Sequence, residues 1–427
     1  MPSAQSQNRS SRPPPPVAVD ELRPSAPQQD LGTASPTTVE SQARRAAVSQ
    51  VTAAGAKIRA NAYPSWSPRF WHGMRMGTWW RLLAKNRFRV APSRLPIALG
   101  VSLFSPANDV LALIQTALHG RRIRETRLNA PPIFILGHWR SGTTLLHEML
   151  VNDPQFASPS TYQCFAPWHF VVSEWLMVRF GSFLLPKKRP MDNMEAGWEL
   201  PQEDEFALMN LGVPTPYLRI AFPQSQPSAL EYLDLQALSP QQRSLWCRNL
   251  QWFLKALTYH HCGKQLVLKS PPHTGRMAEL AKLFPEAKFI HLTRDPRKLF
   301  ASTIRLWKSL EEVQALQQSR SDDQMREYVS ECLLRMYHSF EAAREQVDSS
   351  RLVDVRYEDL VADPVGTLRE LYQRLQLGDF SQVEQRLQQR LAQHDDYRTN
   401  AHHIDPAMER DILDRWGDYA SRYGYVG

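Results

Sequence analysis

The chain has 427 residues, 42% hydrophobic and 22% charged, with a formal charge of +8. That is enough for one core of roughly 250–300 residues plus extensions. Cys164, Cys247, Cys262 and Cys332 lack paired spacing, which argues against a disulfide framework or a zinc site and favours a reducing compartment.

Residues 1–60 are rich in Pro, Ser, Gln and Ala, with almost no aromatics. They cannot bury much apolar surface and are expected to form a disordered tail without a secretory leader. Residues 61–130 hold 11 Lys+Arg against 2 Asp+Glu, so the basic character of the chain belongs to this one segment. Trp66, Trp71, Trp79 and Trp80 alternate here with Arg69, Arg75, Arg81 and Lys85. Such a mixture over residues 61–95 suits a lipid headgroup boundary, ring in and charge out, or a clamp onto the main domain; both stay open. Nucleic acid is not expected, because no known binding module follows. Leu95 to His119 is interrupted by Ser105-Pro106 and Asn108-Asp109, too soon for a span of about 20 apolar residues. A helix is expected to start at Ser105-Pro106 and to end near Gly120, making residues 61–130 a basic helical extension.

From Pro131 the pattern alternates. Ile133–Leu136 reads as a buried strand, residues 143–151 as a helix, and Trp246, Leu250, Phe253 and Leu257 mark another helix, stopped by Gly263. Leu266–Leu268 is a strand, residues 274–284 a helix ended by Pro285, Phe289–Leu292 a strand, and residues 297–307 a helix. Met325 to Phe340 mark a long helix and Leu352–Val355 a last strand. This order implies an α/β domain over residues 131–427, with a mainly parallel sheet covered on both faces.

The strongest local signal is Gly137-His-Trp-Arg140-Ser141-Gly142-Thr143-Thr144, after a strand and opening a helix. Such a turn aims backbone N–H groups and the positive helix end at an anion, with the Ser141, Thr143 and Thr144 hydroxyls as further donors. It is nearly a Walker A loop, but Thr143 stands where the NTPase lysine would be, and the cation is Arg140 instead. No acid ends a strand in the Walker B manner, so a metal-dependent ATPase is disfavoured.

Gly137 to Leu150 resembles the 5′-phosphosulfate loop of the sulfotransferases that use 3′-phosphoadenosine 5′-phosphosulfate (PAPS). Phe289 to Arg297, continuing to Ser302, is similar to that family's 3′-phosphate site. There an arginine ends a strand and a serine eight residues later lies on the next helix; Arg294 and Ser302 have that spacing. The alternative for Arg294-Asp295 is a structural ion pair. Tyr357-Glu-Asp-Leu360 resembles a third family segment. The likeness covers roughly residues 130–377 and points to the bacterial-type and tyrosylprotein-like branches.

The resemblance implies a P-loop-like three-layer sandwich with a central mainly parallel sheet flanked by helices. It implies PAPS as co-substrate, 3′-phosphoadenosine 5′-phosphate (PAP) as product, and no metal. Arg140, Ser141, Gly142, Thr143, Thr144, Arg294, Ser302 and Tyr357 would hold the donor. Lys269, ending the strand before Ser270, would stabilise the leaving group. Where related enzymes often place a basic glutamate, residues 158–164 offer no carboxylate, with Gln163 nearest that place. The base is therefore sought in Glu203-Asp204-Glu205, with Glu203 or Asp204 favoured and Glu205 as support; His273 is a further candidate, and His147 is read as core. Trp168, Trp175, Trp198 and Tyr217 would wall the acceptor pocket. The acceptor is a hydroxyl (or amine) on a carbohydrate, lipid, protein tyrosine or metabolite, and the expected location is cytoplasmic, with membrane association left open. Rival readings are a nucleotide-dependent kinase and a non-catalytic anion- or membrane-binding protein of the same fold.

Overall fold

The computed structural model describes residues 63–64, 66–189, 194–225, 229–393 and 405–426. The expected disordered tail, residues 1–60, lies outside them. After a 3-10 turn at Phe70–Gly73, helix α1 covers Met76–Lys85 and α2 covers Leu95–Glu125. Here the sequence expectation fails: α2 begins ten residues early and runs through Pro106. Proline has no N–H for the carbonyl of Ser102 one turn back. The Ser105 hydroxyl donates to that carbonyl at 3.2 Å, so the break leaves no orphan and the helix continues. By length and composition α2 can cross a membrane, contrary to the view of this stretch as interrupted.

Alternation then sets in. Strand β1 (Ile133–Leu136) leads to α3 (Thr143–Leu150), and the short β2 (Phe156–Ala157) to α4 (Thr161–Phe165) and α5 (Phe170–Phe180). Helices α6 (Asp204–Asn210), α7 (Leu218–Ala221) and α8 (Pro240–His260) precede β3 (Gln265–Lys269). A 3-10 segment, Pro271–Arg276, runs into α9 (Met277–Leu283). Next come β4 (Lys288–Thr293), α10 (Pro296–Gln314), α11 (Asp322–Arg344) and β5 (Leu352–Arg356). Helices α12 (Tyr357–Ala362), α13 (Pro364–Leu375), α14 (Ser381–Gln393) and α15 (Pro406–Arg422) follow. Local chemistry sets several starts: Ser239-Pro240 with Gln242 forms a capping box for α8, and Asp295-Pro296 caps α10.

The strands pair in the order β2-β3-β1-β4-β5, every pair parallel. Successive side chains of a strand point to opposite faces, and both faces here are covered. Ile133, Ile135, Val267, Ile290 and Val353 pack under α3 and α13, while Phe134, Leu136, Leu268 and Phe289 pack into the larger core on the other side. The residues preceding β1 add to that larger core: Trp71 and Trp79 are fully buried, with the Trp71 indole donating to the Gln314 carbonyl at 2.8 Å. Trp66 and Trp80 remain largely exposed. The aromatic segment is thus divided, part clamp and part surface.

Candidate active site

In an open parallel sheet, ligands bind beyond the carboxyl ends of the strands, where the connections leave in opposite directions. The gap between β1 and β4 is that point, since the connection from β1 leads to β2 on one side and that from β4 to β5 on the other. The loop after β1 needs unusual backbone: Arg140 has φ +69° and Gly142 φ +103°. At Gly142 a Cβ would also fall 2.3 Å from the ring of Tyr357, so only glycine fits there. The Gly137 N–H donates to the Thr274 hydroxyl at 2.8 Å, and the Thr303 hydroxyl, shared between the Leu299 carbonyl at 2.7 Å and the Trp139 carbonyl at 3.1 Å, meets the loop from the other side. The Ser141 hydroxyl is buried with no hydrogen-bond partner.

Arg294 leaves the end of β4 and closes on the same loop. Its Nη1 donates to the Arg140 carbonyl at 2.8 Å, its guanidinium lies 4.1 Å over the Tyr357 ring, and its buried Nε has no partner. The Arg140 Nε donates to Ser302 Oγ, on α10, at 3.0 Å. The adjoining Asp295 does not pair with Arg294; its carboxylate caps α10 and grips Arg297 at 2.9 Å. The loop, the arginine–serine pair and the Tyr357 segment, far apart in sequence, therefore meet in one place. Unpartnered buried donors from two of them fit an anionic group of the kind a nucleotide phosphate supplies.

Three consecutive acids stand opposite, at the start of α6, where negative charge suits the helix dipole. Each meets a different member of the segment leaving β3. Glu205 forms a fully buried bidentate pair with Arg276, at 2.6 and 2.9 Å. Asp204, also fully buried, accepts from Ser270 Oγ at 2.7 Å and lies 2.6 Å from His273 Nε2. Burial opposes the Asp204 charge, but His273 and the Ser270 hydroxyl hold its pKa below the usual carboxylate range. Glu203 accepts from Lys269 Nζ at 2.7 Å, and its other oxygen accepts from the Tyr217 hydroxyl. Of the three acids only Glu203 keeps access to solvent, with 13% of its side chain exposed against 0% for Asp204. Burial, then the neighbouring Glu203 charge, pushes Tyr217 well above its ordinary value, so it stays a donor. The Trp139 indole donates to the Tyr217 oxygen at 2.9 Å, which ties the loop after β1 to the Glu203–Lys269 pair.

Other candidates are held elsewhere. Gln163 caps α4 by accepting from the Ser160 N–H at 3.1 Å, and its amide donates to Glu174 at 3.0 Å. Burial pushes His147 down to about 3, and its Nε2 sits 3.3 Å from the Val267 carbonyl, a core position. Of the four aromatics expected to wall an acceptor pocket, Tyr217 reaches the Glu203–Lys269 pair. Trp198 is buried with its indole on the Gly181 carbonyl, Trp168 donates to the Asn210 carbonyl, and Trp175 is exposed. Arg276, Thr274 and the hydrogen-bonding role of Tyr217 escaped the sequence. The spacing Lys269, Ser270, His273, Arg276 opposite three acids was the signal available for Arg276. Among the described residues no group of three or more His, Cys, Asp or Glu could hold a metal.

Comparison with known proteins agrees with this geometry. A family model described as "Sulfotransferase family" matches residues 131–382. The chain is 42% identical over 367 residues to the omega-hydroxy-beta-dihydromenaquinone-9 sulfotransferase Stf3 of Mycobacterium bovis and to that of Mycobacterium tuberculosis, covering 86% of this chain and 94% of each relative. Among solved structures, the fold is similar to sulfotransferase STF1 from Mycobacterium tuberculosis, with TM-score 0.58 and 18% identity over 80% of this chain and 91% of that one. It is also similar to STF9 from Mycobacterium avium, with TM-score 0.56 and 18% identity over 82% and 96%. The chain belongs to the sulfotransferase family, and the reaction it carries out is sulfonyl transfer.

Proposed function

We propose that the sulfonyl donor is PAPS, that the acceptor is a hydroxyl on a long apolar lipid of the hydroxylated isoprenoid-quinone class, and that Glu203 is the general base. The observation that carries the donor assignment is the convergence of Arg140, Arg294 and Ser302 within one set of hydrogen bonds. A nucleotide with phosphates at both its 3′ and 5′ positions needs two such grips at short range. Ser141, Gly142, Thr143 and Thr144 would take the 5′ end, and Arg294 with Ser302 the 3′ end. Tyr357 would hold the Arg294 guanidinium in place through its ring. No metal is called on.

The bound donor supplies the sulfonyl group and leaves as the bisphosphate. Lys269, 3% exposed on its side chain, offsets negative charge on the departing oxygen. Glu203 takes the acceptor hydroxyl proton onto the oxygen that Lys269 or Tyr217 releases as the acceptor enters. Tyr217 is a positioning residue, holding Glu203 toward the loop through Trp139. Asp204 with His273, and Glu205 with Arg276, are positioning pairs that fix the first turn of α6 against the end of β3. The lipid class of the acceptor rests on the name of the 42%-identical relatives. The proposed location is cytoplasmic.

The test is incubation with sulfur-labelled PAPS and a hydroxyl-terminated isoprenoid quinone in detergent, beside a phenol, a sugar and a tyrosine peptide. Labelled lipid sulfate is expected. Label on another acceptor would remove the lipid assignment; label on none, together with absent PAP binding, would remove the donor assignment.

A further inference from the structure

Helix α2 is built inside out. The side facing the protein carries mostly small and polar residues: Ala98, Ser105, Asn108, Ala112 and Gln115 are buried, with Val101 and Ile123 the two larger apolar ones. The opposite side, at the same three- and four-residue spacing, carries Leu99 (62% exposed), Leu103 (79%), Val110 (57%), Leu113 (65%) and Ile114 (42%). A surface helix of a soluble domain normally has the reverse polarity. The inner polar groups are satisfied, so the orientation is fixed. The Asn108 amide donates to the His72 and Met74 carbonyls at 2.6 and 2.9 Å, and Gln115 Oε1 accepts from the Val171 N–H at 2.9 Å. Turning the helix over would bury leucines but strand these amides.

The apolar face does not end with α2. Through Asn108 and Gln115 the helix is tied to His169 and Val171, and α5 then exposes Trp175, Leu176 and Phe180, followed by Phe183. Exposed basic side chains sit on the same part of the chain: Arg121, Arg122 and Arg124 in the last turns of α2, Arg127 just after it, and Arg81 and Lys85 on α1. The two acids of residues 61–130 are neutralised, Asp109 by Arg75 at 2.6 Å and Glu125 by Arg121 at 2.8 Å.

We propose that this face of α2, with the exposed aromatics of α5, lies flat in one leaflet of an anionic bilayer. Charge selects the occupant. A second copy would bring two strongly basic segments together, whereas anionic headgroups answer the arginines while acyl chains take the leucines. A spanning orientation would pull Asn108 and Gln115 from their partners into hydrocarbon. The surface is independent of which hydroxyl the site takes, though it would serve the lipid acceptor proposed above.

The test is cosedimentation of the full chain with vesicles of phosphatidylcholine alone or mixed equally with phosphatidylglycerol. The companions are the double variant Leu103→Glu/Leu113→Glu and the double variant Arg121→Glu/Arg122→Glu. The leucine sites are exposed, so folding should survive, and circular dichroism with sulfonyl transfer in detergent checks this. Wild type should bind the anionic vesicles, and the leucine variant about a hundredfold more weakly. The arginine variant should lose its preference for anionic lipid. Wild-type binding unaffected by the leucine changes would overturn the surface, and so would a wild-type dimer that the leucine changes dissolve without affecting vesicles. Wild-type protein resisting alkaline extraction from the vesicles would overturn the flat orientation. Failure of the lipid-acceptor reading would show separately, as absent transfer in detergent with vesicle binding intact.

Discussion

Replacing Glu203, the proposed base, by Gln removes the group that would take the proton while keeping the side chain's size. Both carboxylate oxygens are in use, one 2.7 Å from Lys269 Nζ and the other on the Tyr217 hydroxyl. Glutamine keeps the volume and one acceptor, so Lys269 retains a hydrogen bond but loses its counter-charge. Removing one partner from a buried ion pair costs about 3–5 kcal/mol, and a surviving neutral hydrogen bond returns about 1 kcal/mol of that. Residual solvent access at Glu203 reduces it further, and a net loss of about 2 kcal/mol is expected. Loss of the base should lower kcat by about 10²–10⁴. The donor cradles are untouched, so PAP affinity should stay within about threefold, since Lys269 remains to meet the phosphate. Urea denaturation, calorimetric PAP titration and labelled transfer measure the three quantities independently. A variant that binds PAP normally yet turns over within about threefold of wild type would refute the assignment and direct the search for the base elsewhere.

Further outcomes follow from neighbouring geometry. Asp204→Asn leaves His273 beside a neutral, fully buried partner and should cost about 3 kcal/mol in urea unfolding, with PAP affinity preserved; unchanged stability with activity abolished would assign Asp204 to the chemistry instead. Gly142→Ala places a methyl 2.3 Å from the Tyr357 ring at a φ of +103°, so PAP affinity should fall at least about tenfold. Adding Tyr357→Ala should restore only part, because the backbone strain remains; full restoration would contradict the φ argument. Burial pushes His138 and His147 down to about 3 and His169 down to about 4. A histidine whose folded pKa is depressed binds its proton only after unfolding, so its stabilisation is complete above about pH 6.5 and is lost as pH falls toward the folded value. The unfolding free energy from urea titration should therefore drop from pH 7.5 to pH 5, by about 2 kcal/mol for each fully buried ring, and the urea midpoint with it; a midpoint that rises over that range would contradict it.

What could be read from the residues depended on how local the cause was. Strand β1, its loop and the strand-end position of Arg294 were legible because an apolar run, a glycine and a helix start lie side by side. The Arg294–Ser302 spacing was visible, but its closure onto the Arg140 carbonyl joins residues 154 positions apart. The three acids were legible as a group, yet their division of labour was not. That division depends on which one faces Lys269, which Ser270 and His273, and which Arg276, contacts made across 66 to 71 residues. Pro106 misled because its missing N–H counts against a helix interior, and the remedy, the Ser105 hydroxyl, is a side-chain detail. Within the aromatic segment, Trp79 shares a helical face with the buried Leu82 and Leu83, whereas Trp80 does not, so periodicity held the answer that composition lacked. The inverted polarity of α2 is invisible to both, since it depends on what the opposite face touches.

The proposed donor grip holds one nucleotide at both ends, by the loop after β1 and by Arg294. Titrating wild type and Arg294→Ala, in EDTA, with PAP and with adenosine 5′-monophosphate, which lacks the 3′-phosphate, probes that grip. Wild type should prefer PAP by about 10–100-fold, and the variant should lose most of that preference while binding the monophosphate much as before. A variant that keeps the full preference for PAP would mean that Arg294 does not meet the 3′-phosphate, and the shared site would be contradicted.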